Sequence, residues 1–142
     1  MLSKESLAAI DAEVAKYPAD RKQSAVMSAL RVAQVEKGWL TPELIEYVAH
    51  YLEMPPIAAY EVATFYNMYD TRPAGRHKIT LCTNLPCLLR GAGELGEHLK
   101  KRLGIGFGEN TEDGRYTLKE GECKGACGEA PMCLHNNHTK HT

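Results

Sequence analysis

Long apolar runs are missing from this chain: the longest, Leu7 to Ile10 and Ile57 to Tyr60, hold four residues, against about 18 for a bilayer-spanning helix. No membrane insertion is therefore expected. An excess of charge is missing too, with 17 basic against 18 acidic residues, so neither nucleic acid nor an anionic membrane surface is implied as a partner. Residues Met1 to Asp11 lack the basic segment, apolar core and small-residue cleavage site of a secretory signal. There is no internal repeat and no low-complexity tract beyond a polar tail. Gly104, Gly106 and Gly108 follow a helix pattern instead of opening one, so a dinucleotide-binding fingerprint is not supported.

What is present is 142 residues with five cysteines. That length predicts one domain, or one domain with a helical extension, and enough chain to bury a core without disulfides. An odd cysteine count with no export signal points to a reducing compartment, where clustered thiols hold metal or perform redox chemistry.

Residues 1–70 read as helices. Leu7, Ile10, Val14 and Tyr17 recur at helical spacing up to Pro18, and Val26, Ala29, Leu30 and Ala33 form a second stripe that ends at Gly38. Thr41, Pro42 and Glu43 make a helix start, with a hydroxyl cap, proline at N1 and an acid near the positive dipole end. Leu44, Ile45, Val48 and Leu52 give its buried face; Pro55 and Pro56 break it, and a fourth helix is expected from Ile57 to about Tyr66. Tyr60, Phe65, Tyr66 and Tyr69 offer a docking surface, although core packing is the simpler account for most of them.

Composition changes at Thr71 to Gly75, and residues 71–142 read as a second domain. His77 to Cys82 alternates as a strand; Leu88, Ala92, Leu95, Leu99 and Leu103 predict one amphipathic helix closed by Gly104. Further strands are expected at Arg115 to Lys119 and Met132 to Asn136. The fold class is α+β, a helical bundle followed by a small layer in which a helix crosses over a sheet.

Four cysteines fall in two short segments, Cys82-Thr83-Asn84-Leu85-Pro86-Cys87 and Cys123-Lys124-Gly125-Ala126-Cys127. Two paired loops, separated by a helix and a strand, form the pattern of one four-thiolate site. Structural zinc favours a two-residue gap, with both sulfurs turned onto one ion. Gaps of four and three suit a [2Fe–2S] cluster better, because two irons each take two thiolates within wider loops, although the plant-type ferredoxin spacing is not met. Zinc and a thiol redox pair remain alternatives. Cys82 ends the expected strand and Cys87 opens the expected helix, whose free amides favour thiolate charge. Gly125 permits a close backbone approach, Pro86 enters the helix without needing an amide, and Lys124 reads as a solvated lysine.

Together with Glu122 before Cys123, Ala130-Pro131 after Cys127, and the upstream Val62-Ala63-Thr64-Phe65-Tyr66, these loops resemble the NuoE-type subunits of respiratory complex I, the NADH:quinone oxidoreductase. The resemblance runs from the first helix to about Asn136. It implies a thioredoxin-like [2Fe–2S] ferredoxin domain behind an N-terminal helical bundle, with one cluster held by Cys82, Cys87, Cys123 and Cys127. It implies no catalytic residue on this chain. The implied role is electron transfer as a non-autonomous part of an NADH dehydrogenase (quinone). FMN and NADH would sit on a larger partner subunit among other peripheral-arm subunits, in the bacterial cytoplasm at the inner face of the plasma membrane. Diaphorase modules of soluble NAD-linked hydrogenases or formate dehydrogenases use similar units; a zinc-stapled interaction module is the reading from another class.

Two departures from the family pattern stand out. Cys133 occupies a position usually aliphatic and reads as a buried apolar strand residue. The family continues past the Met132 to Asn136 strand with another strand and a closing helix, which are expected to be missing here, leaving the sheet with an uncovered edge and a frayed polar tail up to Thr142. Only a helical tail would gather His135, His138 and His141 around a divalent metal; His50, His77 and His98 are isolated from one another in sequence and are expected to be surface or satisfied core residues instead of ligands. By analogy with thioredoxin-like folds, Ala130-Pro131 is expected to be a cis bond.

Overall fold

The structure is a computed structural model describing all residues 1–142. The chain forms two compact units, Met1–Pro73 and Ala74–Thr142. No helix is long and apolar enough to cross a membrane.

The first unit is all helical: α1 (Lys4–Val14), a 3₁₀ segment (Ala19–Ala25), α2 (Val26–Lys37), α3 (Pro42–Tyr51) and α4 (Pro56–Phe65). Local chemistry sets the ends. The Ser3 hydroxyl accepts from the Ser6 N–H and the Thr41 hydroxyl accepts from the Leu44 N–H, each taking up an amide that the first turn leaves without a partner. Gly38 ends α2 at φ +86°, in the left-handed region open to glycine. Ile10, Leu30, Ile45, Val48 and Leu52 are buried at the centre of the bundle. The apolar stripe of α2 also carries Gln34, buried and satisfied at both ends of its amide: Nε2 donates to the Met68 carbonyl at 3.0 Å and Oε1 accepts from the Asp70 N–H at 2.6 Å. This side chain ties the segment after α4 back onto the bundle. Of the aromatic group, Tyr69 is buried, while Phe65 is 81% exposed and meets Tyr66 edge to face at 5.0 Å.

The second unit runs β1 (His77–Cys82), α5 (Leu85–Leu89), α6 (Ala92–Leu103), β2 (Glu109–Asn110), β3 (Tyr116–Gly121), a 3₁₀ turn (Cys127–Glu129), β4 (Cys133–His135) and β5 (Thr139–His141). The five strands lie in the order β2-β3-β1-β4-β5, with β1 and β3 parallel and every other pair antiparallel. Leu81 and Leu118 are fully buried. Gly96 lets α6 close on the sheet: the Leu81 side chain lies 3.2 Å from where a Cβ on Gly96 would stand.

Two sequence expectations are corrected. The single helix through Leu88 to Leu103 is two helices, because Gly91 takes φ +98°, a break that the Leu88-to-Ala92 spacing hides. Leu88 is half exposed and lies outside the buried stripe. The polar tail is neither frayed nor helical. Asn136 and Asn137 both adopt left-handed φ (51° and 62°), a region asparagine tolerates, and turn the chain so that β5 pairs with β4. Lys140 of β5 pairs with Glu129, which holds the tail to the turn after Cys127. The two-residue strand β2 carries no pattern legible in the sequence.

Candidate metal centre

The sheet brings the two cysteine loops to one end. Cys82 is the last residue of β1 and Cys87 lies in α5; both are 1% exposed. Cys123 and Cys127 follow β3 in a loop and are exposed. Because β1 and β3 are parallel with Cys82 opposite Gly121, both loops leave the same edge of adjacent strands. Three hydrogen bonds then tie them together. The Thr83 N–H donates to the Gly121 carbonyl at 3.1 Å, the Thr83 hydroxyl to Glu120 Oε1 at 2.8 Å, and Asn84 Nδ2 to Glu122 Oε2 at 3.1 Å. The other end of the Asn84 amide caps α5, its oxygen accepting from the Leu85 N–H. Gly121 is required where the strands meet, since a Cβ there would stand 2.6 Å from the Thr80 methyl carbon.

A third segment pins the buried pair. Met132, just after the cis Ala130-Pro131 bond, accepts from the Cys82 N–H at 3.1 Å and donates its own N–H to the Cys87 sulfur. Met132, Ala92, Cys82 and Cys87 form a small buried cluster lined by Ala126, Ala130 and Leu134, which keeps water from that side of the sulfurs.

The sulfurs stand as two pairs. Cys82 and Cys87 are hydrogen bonded to each other, and Cys123 Sγ lies 3.4 Å from Cys127 Sγ. No three His, Cys, Asp or Glu side chains close on a single-ion position. Burial first, and then the Cys82 thiol, push the Cys87 thiol up from its ordinary value. In the exposed pair the Gly125 N–H donates to Cys123 Sγ at 3.4 Å and, with the Cys127 thiol, holds Cys123 below the usual thiol range. Cys127, donating to that sulfur, is held above it. Gly125 sits at φ +74°, the conformation that turns its amide back onto the sulfur. The set fits a two-iron cluster in its donor chemistry: four soft sulfurs in two pairs, with backbone N–H groups on one sulfur of each.

Lys124 is half-buried, not fully solvated as the sequence suggested, and burial lowers its pKa. Cys133 pairs in register with Leu81, so it lies on the sheet face opposite to Cys82, and burial raises its thiol. The tail histidines do not gather as a triad. Strand alternation puts His135 and His141 on one face and leaves His138 in the turn, while His135 meets His77. The bonds of Thr83, Asn84 and the Met132 backbone escaped the sequence reading; their partners lie far along the chain, and no local pattern announces them.

Residues 10–142 match the thioredoxin-like [2Fe–2S] ferredoxin family. An NADH-quinone oxidoreductase subunit of Rickettsia typhi is 44% identical over 135 residues, which is 94% of this chain and 79% of that protein. The mitochondrial NADH dehydrogenase [ubiquinone] flavoprotein 2 of Dictyostelium discoideum is 41% identical over 95% of this chain and 55% of its own. Among solved structures, an air-oxidized NAD+-reducing [NiFe]-hydrogenase superposes with a TM-score of 0.62 at 25% identity, over 75% of this chain and 19% of the hydrogenase chain. With the family pattern matched across nearly its whole length, the chain belongs to the thioredoxin-like [2Fe–2S] ferredoxins.

Proposed function

We infer that this chain is an electron-transfer subunit of an NADH:quinone oxidoreductase, holding one [2Fe–2S] cluster on Cys82, Cys87, Cys123 and Cys127 beside a larger subunit that binds NADH and FMN. The observation that carries it is the meeting of four thiols, in two pairs, at one end of the sheet. The likeness to an NADH-quinone oxidoreductase subunit, 44% identical over 94% of the chain, supports the same assembly.

When bound, the cluster supplies one-electron chemistry. The chain's residues decide where that chemistry sits. Cys82 and Cys87 would hold the group from a buried, low-dielectric position beside Met132 and Ala92. Cys123 and Cys127 are exposed and would hold it from the surface, where a redox partner could approach. The amides of Met132 and Gly125 stabilise thiolate charge and so favour ligation over protonation.

Anaerobic reconstitution with iron and sulfide tests the assignment. Two irons and two sulfides per chain are expected, with visible absorption and a one-electron paramagnetic signal on reduction. Serine at any of the four cysteines should remove them, and Cys133→Ala should not. One tightly bound zinc without sulfide would sink the reading in favour of a zinc-stapled module.

The hydrogenase likeness favours a second reading, the NAD-linked diaphorase side of a soluble hydrogenase. Purification of the native complex separates the two: quinone-reducing membrane fractions support the first, a soluble nickel-containing complex the second.

A further inference from the structure

On one face of the sheet, four rings form a row. The Tyr116 ring stands 5.4 Å from the His77 ring, His77 stands 5.2 Å from His135, and His135 stands 6.4 Å from His141. Register explains the row. Tyr116 pairs with His77, Ile79 with His135, and Cys133 with His141, so all these residues share a face, opposite to that of Cys82. His77 Nδ1 points at His135 Nε2 from 3.1 Å. His77 and His135 are half-buried and His141 is exposed.

From this geometry we propose that His77 and His135 form a binding site for a late first-row divalent transition-metal cation, distinct from the cysteine centre. Two ring nitrogens 3.1 Å apart, each about 2.1 Å from a common ion, would subtend an angle of about 95° there. That is close to adjacent positions of an octahedron. Imidazole nitrogens select nickel, zinc and copper over magnesium and calcium, which prefer oxygen. In the absence of metal, one ring must present a proton to the other, because two lone pairs aimed at one point repel. Metal binding moves that proton to the outer nitrogen of its ring and leaves both inner nitrogens as donors. The backbone is already set for this: β1 and β4 hold the two Cα positions, and Lys78 N–H donates to Asn136 Oδ1 at 2.8 Å, anchoring the turn beside His135. Water completes the coordination, since no third protein ligand closes on the pair. His141, exposed on the same face, is the next imidazole within reach.

The test is calorimetric titration of Ni²⁺ into the cluster-loaded protein under anaerobic conditions, so that the cysteines are occupied. Saturable binding of a single ion is expected, abolished by His77→Gln and by His135→Gln and unchanged by His98→Gln, a residue exposed on α6. His135→Phe keeps an aromatic ring in the row and removes both ring nitrogens. If this variant retains the cluster spectrum and loses nickel, loss of fold is ruled out as the cause. X-ray absorption on the nickel-bound protein should show imidazole nitrogens and no sulfur. No saturable binding, binding that survives both histidine substitutions, or sulfur in the nickel shell would each overturn the proposal.

Discussion

The backbone N–H of Gly125 donates to the sulfur of Cys123 at 3.4 Å, from a glycine at φ +74°. Space is not the reason for glycine at this position, since an added Cβ would meet nothing within 4 Å. The reason is conformational. Gly125→Ala should cost about 1–2 kcal/mol of left-handed strain or turn the amide off the sulfur. The expected result is lower iron and sulfide content after reconstitution and a shifted reduction potential in the cluster that does form. An alanine variant with unchanged loading and potential would show that the amide is incidental.

The two cysteine pairs differ in access, and apo-protein chemistry should report it. Cys123 and Cys127 are exposed, whereas Cys82 and Cys87 are 1% exposed. Brief alkylation of the apo protein with iodoacetamide, followed by peptide mass spectrometry, should label Cys123 and Cys127 first. Cys123 should lead, because the Gly125 amide stabilises its thiolate. Labelling of Cys87 ahead of Cys123 would contradict the packing of Met132 over the buried pair.

Gly75 is a glycine for lack of room. A Cβ there would stand 2.7 Å from the Tyr116 carbonyl carbon and 2.9 Å from its nitrogen, and the Gly75 N–H donates to the Thr117 hydroxyl at 2.5 Å. Gly75→Ala must move backbone, with an expected cost of about 1–3 kcal/mol in denaturant unfolding. A variant as stable as the parent would mean that this entry to β1 is not closely packed in solution.

Tyr69 makes the helical unit sensitive to alkali. Its hydroxyl donates to the Met27 carbonyl at 2.8 Å, and burial pushes its pKa up to about 12. The unfolded chain releases this proton near pH 10 and the folded chain near 12, so stability is intact below about pH 10 and falls above it by about 1.4 kcal/mol per pH unit until about pH 12. Tyr69→Phe should flatten that part of the stability profile while losing about 0.5–1.5 kcal/mol at neutral pH for the missing hydrogen bond. Equal alkaline slopes for parent and variant would assign the loss to other groups.

Much of the fold is legible in short windows of sequence. The Thr41 cap, the Gly38 stop, the proline break before α4 and the strand from His77 to Cys82 all appear where local chemistry places them. Spacing misled where backbone conformation overrode it, as at Gly91, which splits an otherwise continuous helical stripe. In the tail, three histidines at intervals of three suggested a helix or nothing. The signal that decides is the Asn136-Asn137 pair, a turn dipeptide whose left-handed conformation folds β5 onto β4.

The sequence by itself determined helices α1 to α4, the cysteine spacing and the family, because caps, periodicity and motifs act over a few residues along the chain. Tertiary structure alone decided which thiols are buried, that Asn84 and Glu122 join loops 38 residues apart, and that His77 meets His135 across 58 residues. Those relations depend on which strands pair and in what register. Register is settled by burial of one sheet face, here through Leu81 and Leu118, and by bonds between distant segments that leave no local trace.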